Sequence, residues 1–235
     1  FLLIYSLPKE TEYFGAAASP EGDEDTAVDV ASEVYLYAAW MATLVANLLL
    51  GVTRNVFPKR LNDLVDSGQL RLFFEAVPPD FLTTAAATKF SWLSFACSLT
   101  TAALFLLFGR TTIWRHNLYW LVGIQLAAGI GFWVLGHTNS LAVMAVCFML
   151  AGASLGVAFF SSVYYSVANP AHKHRRAAIN EGAVGVRGFL CSIAFGYLTE
   201  YQGMDFPFRW TPLFVVIAIA LQYGLVYYRK KQWHA

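Results

Sequence analysis

Apolar residues along this chain gather into six long stretches, roughly 34–53, 81–108, 118–136, 141–168, 183–200 and 210–228, with the charged residues mostly between them. A bilayer-spanning helix needs about 20 mostly apolar residues, and each stretch is near that length. A membrane β-strand would alternate polar and apolar positions over about ten residues. The run Leu213-Phe-Val-Val-Ile-Ala-Ile-Ala-Leu221 does not alternate. The pattern predicts an all-α membrane protein with six transmembrane helices.

Composition supports that pattern. Of 235 residues, 57% are hydrophobic and 13% charged, about half the charge of a soluble domain. This excludes an ordinary soluble fold, a disordered chain and a nucleic-acid binder. Net charge is only +1, but it is unevenly placed. Residues 9–33 hold eight acids against Lys9 alone, which leaves fifteen bases and seven acids in the remainder. The three cysteines, Cys97, Cys147 and Cys191, sit in apolar stretches without metal or redox spacing and read as small buried hydrophobes.

Orientation follows from the Lys and Arg content of short loops. One set of loops carries Arg110 and Arg115, then Lys173, Arg175 and Arg176 with His172 and His174, then Arg229, Lys230 and Lys231. The opposite set comprises the 54–80 connection, the 136–140 turn and the 201–209 loop. The long connection dissents, with Arg54, Lys59, Arg60 and Arg71 balanced by Asp63, Asp66, Glu75 and Asp80. Both termini are expected in the cytoplasm. Aromatic residues at span ends, such as Tyr35, Trp40, Trp114, Tyr119, Trp120, Tyr164, Tyr165, Tyr227 and Tyr228, fit the headgroup belt, with about a third of these positions read as simple packing.

The chain opens on Phe1 to Leu7, apolar but too short to span. Small and acidic residues follow from Gly15 to Asp29, the composition of a solvated linker. Residues 1–33 therefore read as the end of a preceding membrane helix plus an acidic cytoplasmic linker. Residues 34–230 read as the six-helix domain and 231–235 as a cytoplasmic tail. On this reading the chain is a fragment of something longer or an unusual half-size protein. Within the long connection, Leu61 to Phe74 reads either as a short amphipathic helix on the outer surface or as an ordered plug.

A charge inside a membrane helix costs about 2.5–3.5 kcal/mol on insertion scales and so tends to be functional or paired. Lys89 and Arg187 are the two such residues. At 1.5 Å per residue they lie roughly 12 Å inside the outer end and 7 Å inside the inner end of their spans. Two cations without a matching buried acid point to an anionic or proton-coupled substrate. Trp92 shares the face of Lys89 at i, i+3, where it either stacks on a ligand or covers lipid. Asn47, deep in the first span, either contacts substrate or bonds across helices. Asn180 and Glu181 are placed at the start of the fifth span, where a first-turn acid caps the helix and pairs with Arg175 or Arg176. Gln125 and Gln222 are expected to be structural. Gly152 and Gly156 form a small-x-x-x-small pair, and Gly182, Gly185 and Gly188 recur every third residue, which favours close helix packing.

Gly109-Arg-Thr-Thr-Ile-Trp-Arg115 is similar to a degenerate Gly and Arg loop motif of the major facilitator superfamily, without its Asp. Leu150-Ala-Gly-Ala-Ser-Leu-Gly-Val-Ala-Phe-Phe-Ser-Ser-Val-Tyr-Tyr-Ser166 looks like that family's glycine-rich fourth helix. Pro170-Ala-His-Lys-His-Arg-Arg176 leading into Asn180-Glu-Gly-Ala-Val-Gly-Val-Arg-Gly188 is similar to its following loop and fifth helix, without the frequent Gly-Pro. The acidic linker sits where the family has its central cytoplasmic loop. Over about residues 34–230 the chain resembles one six-helix half of such a transporter, most like the C-terminal half.

The resemblance implies a 3+3 inverted repeat and alternating access, with a small-molecule substrate held near the midplane between two halves. It also implies a pathway lined by the first, second, fourth and fifth helices, with the third and sixth outside. A missing N-terminal half or a second copy would complete it. The expected pathway residues are Asn47, Lys89, Trp92 and Arg187. The expected cytoplasmic gate is Arg110, Arg115, Arg175, Arg176 and Glu181. The protein is expected in the cell or inner membrane, with the lipid bilayer as a partner.

The alternative reading is a six-helix scaffold or accessory subunit without transport. An enzyme is disfavoured. Gly152-Ala-Ser154-Leu-Gly156 matches a Gly-x-Ser-x-Gly nucleophile pattern, and rhomboid proteases are also six-helix proteins. A Ser nucleophile needs a base within reach, yet no histidine falls in the fifth or sixth span. Zinc, phosphate-loop and Cys-x-x-Cys motifs are absent from the sequence, so neither a metal nor another cofactor is expected.

Overall fold

The computed structural model describes residues 24–73, 86–115, 117–168 and 173–233. They form seven helices: α1 (Glu24–Asn55), α2 (Phe57–Asp66), α3 (Ala86–Arg110), α4 (Leu118–His137), α5 (Leu141–Val167), α6 (Lys173–Gln202) and α7 (Phe206–Trp233). The chain is all-helical among the described residues apart from one isolated bridge, between Arg71 and Ser140. Five stretches are long and apolar enough to cross a membrane: Val34–Asp66, Ala86–Arg110, Leu118–His137, Leu141–Val167 and Phe206–Tyr228. By length and composition this is a multi-pass membrane protein. The remaining expected span, 183–200, lies inside α6, whose 30 residues include Arg175, Arg176, Glu181, Arg187 and Glu200.

Several boundaries differ from the sequence expectation. α1 begins at Glu24, so residues 24–33 are helical rather than linker. Residues 1–23, including the short apolar start, lie outside the described residues. α6 begins at Lys173 and absorbs the second half of the basic loop.

In the long connection the helix is Phe57–Asp66, earlier than the expected 61–74. Pro58 stands at its first positions, where a missing N–H costs nothing. Phe57, Leu61 and Leu64 fall on one face and are buried. That face packs on the bundle rather than lying on a membrane surface. The Phe57 ring centroid is 5.0 Å from Phe148 of α5 and 6.5 Å from Phe90 of α3. Gly68, at φ +66°, then turns the chain in a conformation that only glycine adopts freely.

After that turn the chain docks on the start of α5. Arg71 donates its backbone N–H to the Asn139 carbonyl at 3.0 Å, while the Arg71 and Leu72 carbonyls accept from Leu141 at 2.9 Å and Ala142 at 3.1 Å. The first N–H groups of a helix have no partner of their own, so residues 71–72 satisfy two donors of α5. Arg60 reaches Asp205, in the α6–α7 turn, at 3.3 Å and lies over the Phe208 ring. Residues 57–72 therefore form a strap across one end of the bundle. At the opposite end an aromatic cluster holds the α3–α4 loop. Trp114 donates its indole N–H to the Phe108 and Thr111 carbonyls and packs on Phe160, Tyr164 and Tyr165. Trp114 is thus a packing anchor, whereas Tyr119 and Trp120 are exposed at the same end.

α1 and α5 form the centre. α5 packs on α1, α3, α4 and α6, and α1 packs on α4, α5, α6 and α7. The α3–α5 contact is close because of Gly152 and Gly156. A Cβ at Gly152 would lie 2.1 Å from the Cys97 carbonyl oxygen, and one at Gly156 would lie 3.2 Å from that of Thr101. Thr101 also donates its hydroxyl to the Gly152 carbonyl at 2.9 Å. By contrast, a Cβ at Gly182 or Gly185 of α6 would meet nothing within 4 Å, so their spacing is not used for packing among the described residues.

Candidate functional site

Lys89 and Trp92 come together as their spacing predicts. Both line a cleft of about 440 Å³ between α3, the start of α5 and the strap, with Leu72, Phe73, Leu93 and Ala142 as other walls. Lys89 is 2% exposed, whereas Trp92 is 69% exposed and meets Phe95 edge-on. Among the described residues that line the cleft, Lys89 is the one charged group. Lys89 shares this cleft with Leu141 and Ala142, the first residues of α5, near the strap end of the bundle.

Asn47 does not line this cleft. It is half-buried and donates its side-chain N–H to the Thr43 carbonyl of its own helix at 2.7 Å. The neighbouring Thr43 makes the bond between helices, donating to the Ala158 carbonyl of α5 at 3.1 Å as well as to Ala39. Arg187 falls on α6, and its side chain lies outside the described residues.

The expected gate residues gather at the end opposite the strap. Arg110 and Arg115 are exposed, and the Arg115 guanidinium lies 5.1 Å from the Tyr164 ring centre. Arg175 and Glu181 are exposed and Arg176 is buried. Glu181 is not a first-turn cap, because α6 starts eight residues before it. The buried Asn180 accepts a hydrogen bond from the Ser162 hydroxyl, which ties α6 to the last part of α5. Among the described residues the ion pair is Arg60–Asp205, at the other end.

Two further pairings carry the polar interior. Gln125 of α4 and Gln222 of α7, both fully buried, exchange reciprocal amide bonds at 3.3 and 3.0 Å. Trp40 of α1 donates to the Ser166 hydroxyl at 3.3 Å. Ser154, the centre of the nucleophile-like pattern, is fully buried, and its hydroxyl has no hydrogen-bond partner among the described residues. Arg60–Asp205 and the Gln pair join residues 145 and 97 positions apart. Only an unusual polar residue in an apolar run, as at Gln125 and Gln222, signals such a partner in the sequence. Among the described residues no group of three His, Cys, Asp or Glu side chains is arranged to hold a metal. No family model matches the chain, and no curated protein or solved structure matches it either.

Proposed function

We propose that this protein is a secondary transporter of the major facilitator type, one six-helix half of the assembly that moves a small solute by alternating access. The observation that carries the reading is the pattern of helix pairing. The six most extensive contacts are α3 with α5, α1 with α5, α4 with α5, α1 with α7, α4 with α7 and α1 with α6. Exchanging α1 with α5, α3 with α6 and α4 with α7 maps this set onto itself. Such an exchange is what two three-helix repeats of opposite orientation produce.

α6 serves as the sixth span in this reading. Its Asn180 bonds to Ser162 near one end of the bundle, and its Glu200 shares a pocket with Asn55 at the other. Thirty residues reach about 45 Å at 1.5 Å each, more than the hydrocarbon core of about 30 Å. The lower apolarity of α6 suits a helix that faces a water-filled pathway rather than lipid. α3 and α6 flank α1 and α5 and leave large side chains uncovered, among them Trp92, Phe95, Leu99, Phe189, Ile193 and Tyr197. A second half or a second copy would cover these faces. Lys89 and Arg187 lie on the two exchange-related flanking helices and would attract a solute with an anionic group. The basic residues 110, 115, 175 and 176 would form the cytoplasmic gate.

Reconstituting the full-length protein in vesicles, with and without a proton gradient, tests the reading against a panel of small solutes. Saturable uptake of at least one solute above protein-free vesicles is the expected result. No solute-dependent uptake or proton movement in correctly oriented vesicles would leave the scaffold as the better description. Uptake that survives unchanged in Lys89→Ala combined with Arg187→Ala would remove those two cations from the pathway.

A further inference from the structure

At the strap end, between the α1–α2 corner and the last turns of α6, lies a pocket of about 260 Å³. Asn55, Val56 and Lys59 form one wall, and Gly196, Thr199 and Glu200 form the other. It differs in kind from the Lys89 cleft, because a cation, an anion and two neutral polar groups border it. Lys59 and Glu200 are both exposed, and among the described residues neither makes an ion pair or hydrogen bond with the other or with a third side chain. Opposite charges across one opening that do not neutralise each other leave both available to a third body. The Thr199 hydroxyl gives its proton to the Phe195 and Gly196 carbonyls, so its oxygen remains as an acceptor. At Gly196 an added Cβ would meet nothing within 4 Å. The absent side chain therefore keeps the wall of the pocket open.

The geometry points to a recognition site here for a small zwitterion, a solute that carries an ammonium and a carboxylate on a short frame, as a free neutral amino acid does. Lys59 takes the carboxylate, Glu200 takes the ammonium, and the Thr199 oxygen accepts a further ammonium N–H. Either charge alone would attract half of such a solute, and only the pair fixes its direction. Charge-assisted hydrogen bonds of this kind are the stronger class. The strap forms one wall through Lys59 and closes the same end of the bundle through Arg60, so a bound solute would touch the element that opens. This inference rests on the transport reading for its meaning, with the pocket as the point of entry, but binding is measurable by itself.

Calorimetric titration of the full-length protein in nanodiscs with glycine, L-alanine and L-leucine is the direct test. Propionate and propylamine, each with one of the two charges, serve as controls. At least one zwitterion is expected to bind, with both single-charge controls weaker by about tenfold or more. Lys59→Gln and Glu200→Gln should each weaken it by about tenfold. A Cβ at Gly196 meets nothing within 4 Å, so Gly196→Leu is expected to obstruct the pocket and abolish binding while leaving the thermal melt unchanged. Equal binding of a zwitterion and its single-charge controls would overturn the site. So would full binding in Gly196→Leu, or no binding by any of the three amino acids. Saturable uptake of some other solute together with no binding of any of the three amino acids would leave transport standing and remove this site. Zwitterion binding without uptake would keep the site and remove transport.

Discussion

Glycines at 152 and 182 both stand in small-residue repeats, and the bundle uses them in opposite ways. At Gly152 a methyl group would run into the Cys97 carbonyl, and the Thr101 hydroxyl bond to the Gly152 carbonyl depends on the same close approach. Gly152→Ala is therefore expected to cost about 1–3 kcal/mol through overpacking, read as a lower melting temperature in detergent. Gly182→Ala meets nothing among the described residues and should be neutral or gain up to about 1 kcal/mol from helix propensity. A destabilised Gly182→Ala in the assembled protein would reveal a close neighbour on that face. Gln125 and Gln222 give a second case, in which each amide satisfies the other inside apolar surroundings. Gln125→Leu alone leaves one buried amide unpaired, which costs about 1–3 kcal/mol. The double change to Leu should recover most of that loss, and a double-mutant cycle reads the coupling, expected near 0.6–2 kcal/mol for bonds between membrane helices. The sequence marks these residues as unusual. It does not say which close a contact and which leave one open, because that depends on a neighbour far along the chain.

At the scale of elements, the strap separates what stabilises from what latches. Phe57 is fully buried between α3 and α5, so Phe57→Ala should cost about 3–5 kcal/mol and release α2 from the bundle. Arg60 and Asp205 sit in a partly exposed pair, with side chains 15% and 64% exposed. Either change to Ala should cost only about 0.2–1 kcal/mol, a difference that chemical denaturation or thermal melting can resolve. If Arg60→Ala proved as damaging as Phe57→Ala, the ion pair rather than the aromatic contact would be what holds the strap. An amphipathic helix after the first span was one of two readings of Leu61 to Phe74. Its register was misplaced, because Pro58 starts the helix earlier and Gly68 ends it. The choice between a membrane surface and a docked strap was not legible, since an apolar stripe looks the same whether lipid or Phe148 covers it.

For the whole molecule, the number of crossings is the quantity to measure. In a background with Cys97, Cys147 and Cys191 replaced, single cysteines at Gly68, Thr138 and Gln202 should react with a membrane-impermeant maleimide from one side. Cysteines at Arg110, Asn117 and Arg175 should react from the other. If α6 does not cross, the Gln202 cysteine will label with Arg175, and the six-span architecture will fall with it. The sequence by itself determined that the chain is helical and multi-pass, and where most apolar helices lie, because hydropathy over about 20 residues is a local property. It also placed Lys89 beside Trp92, since residues three apart share a helix face. Only the tertiary structure decided that Lys89 lies near the strap end, that Glu181 is no cap and that 24–33 is helix. It alone paired Gln125 with Gln222 and Arg60 with Asp205, and it set Lys59 across a pocket from Glu200. Those outcomes depend on which helix stands next to which, and composition along a single segment contains no information about its neighbour.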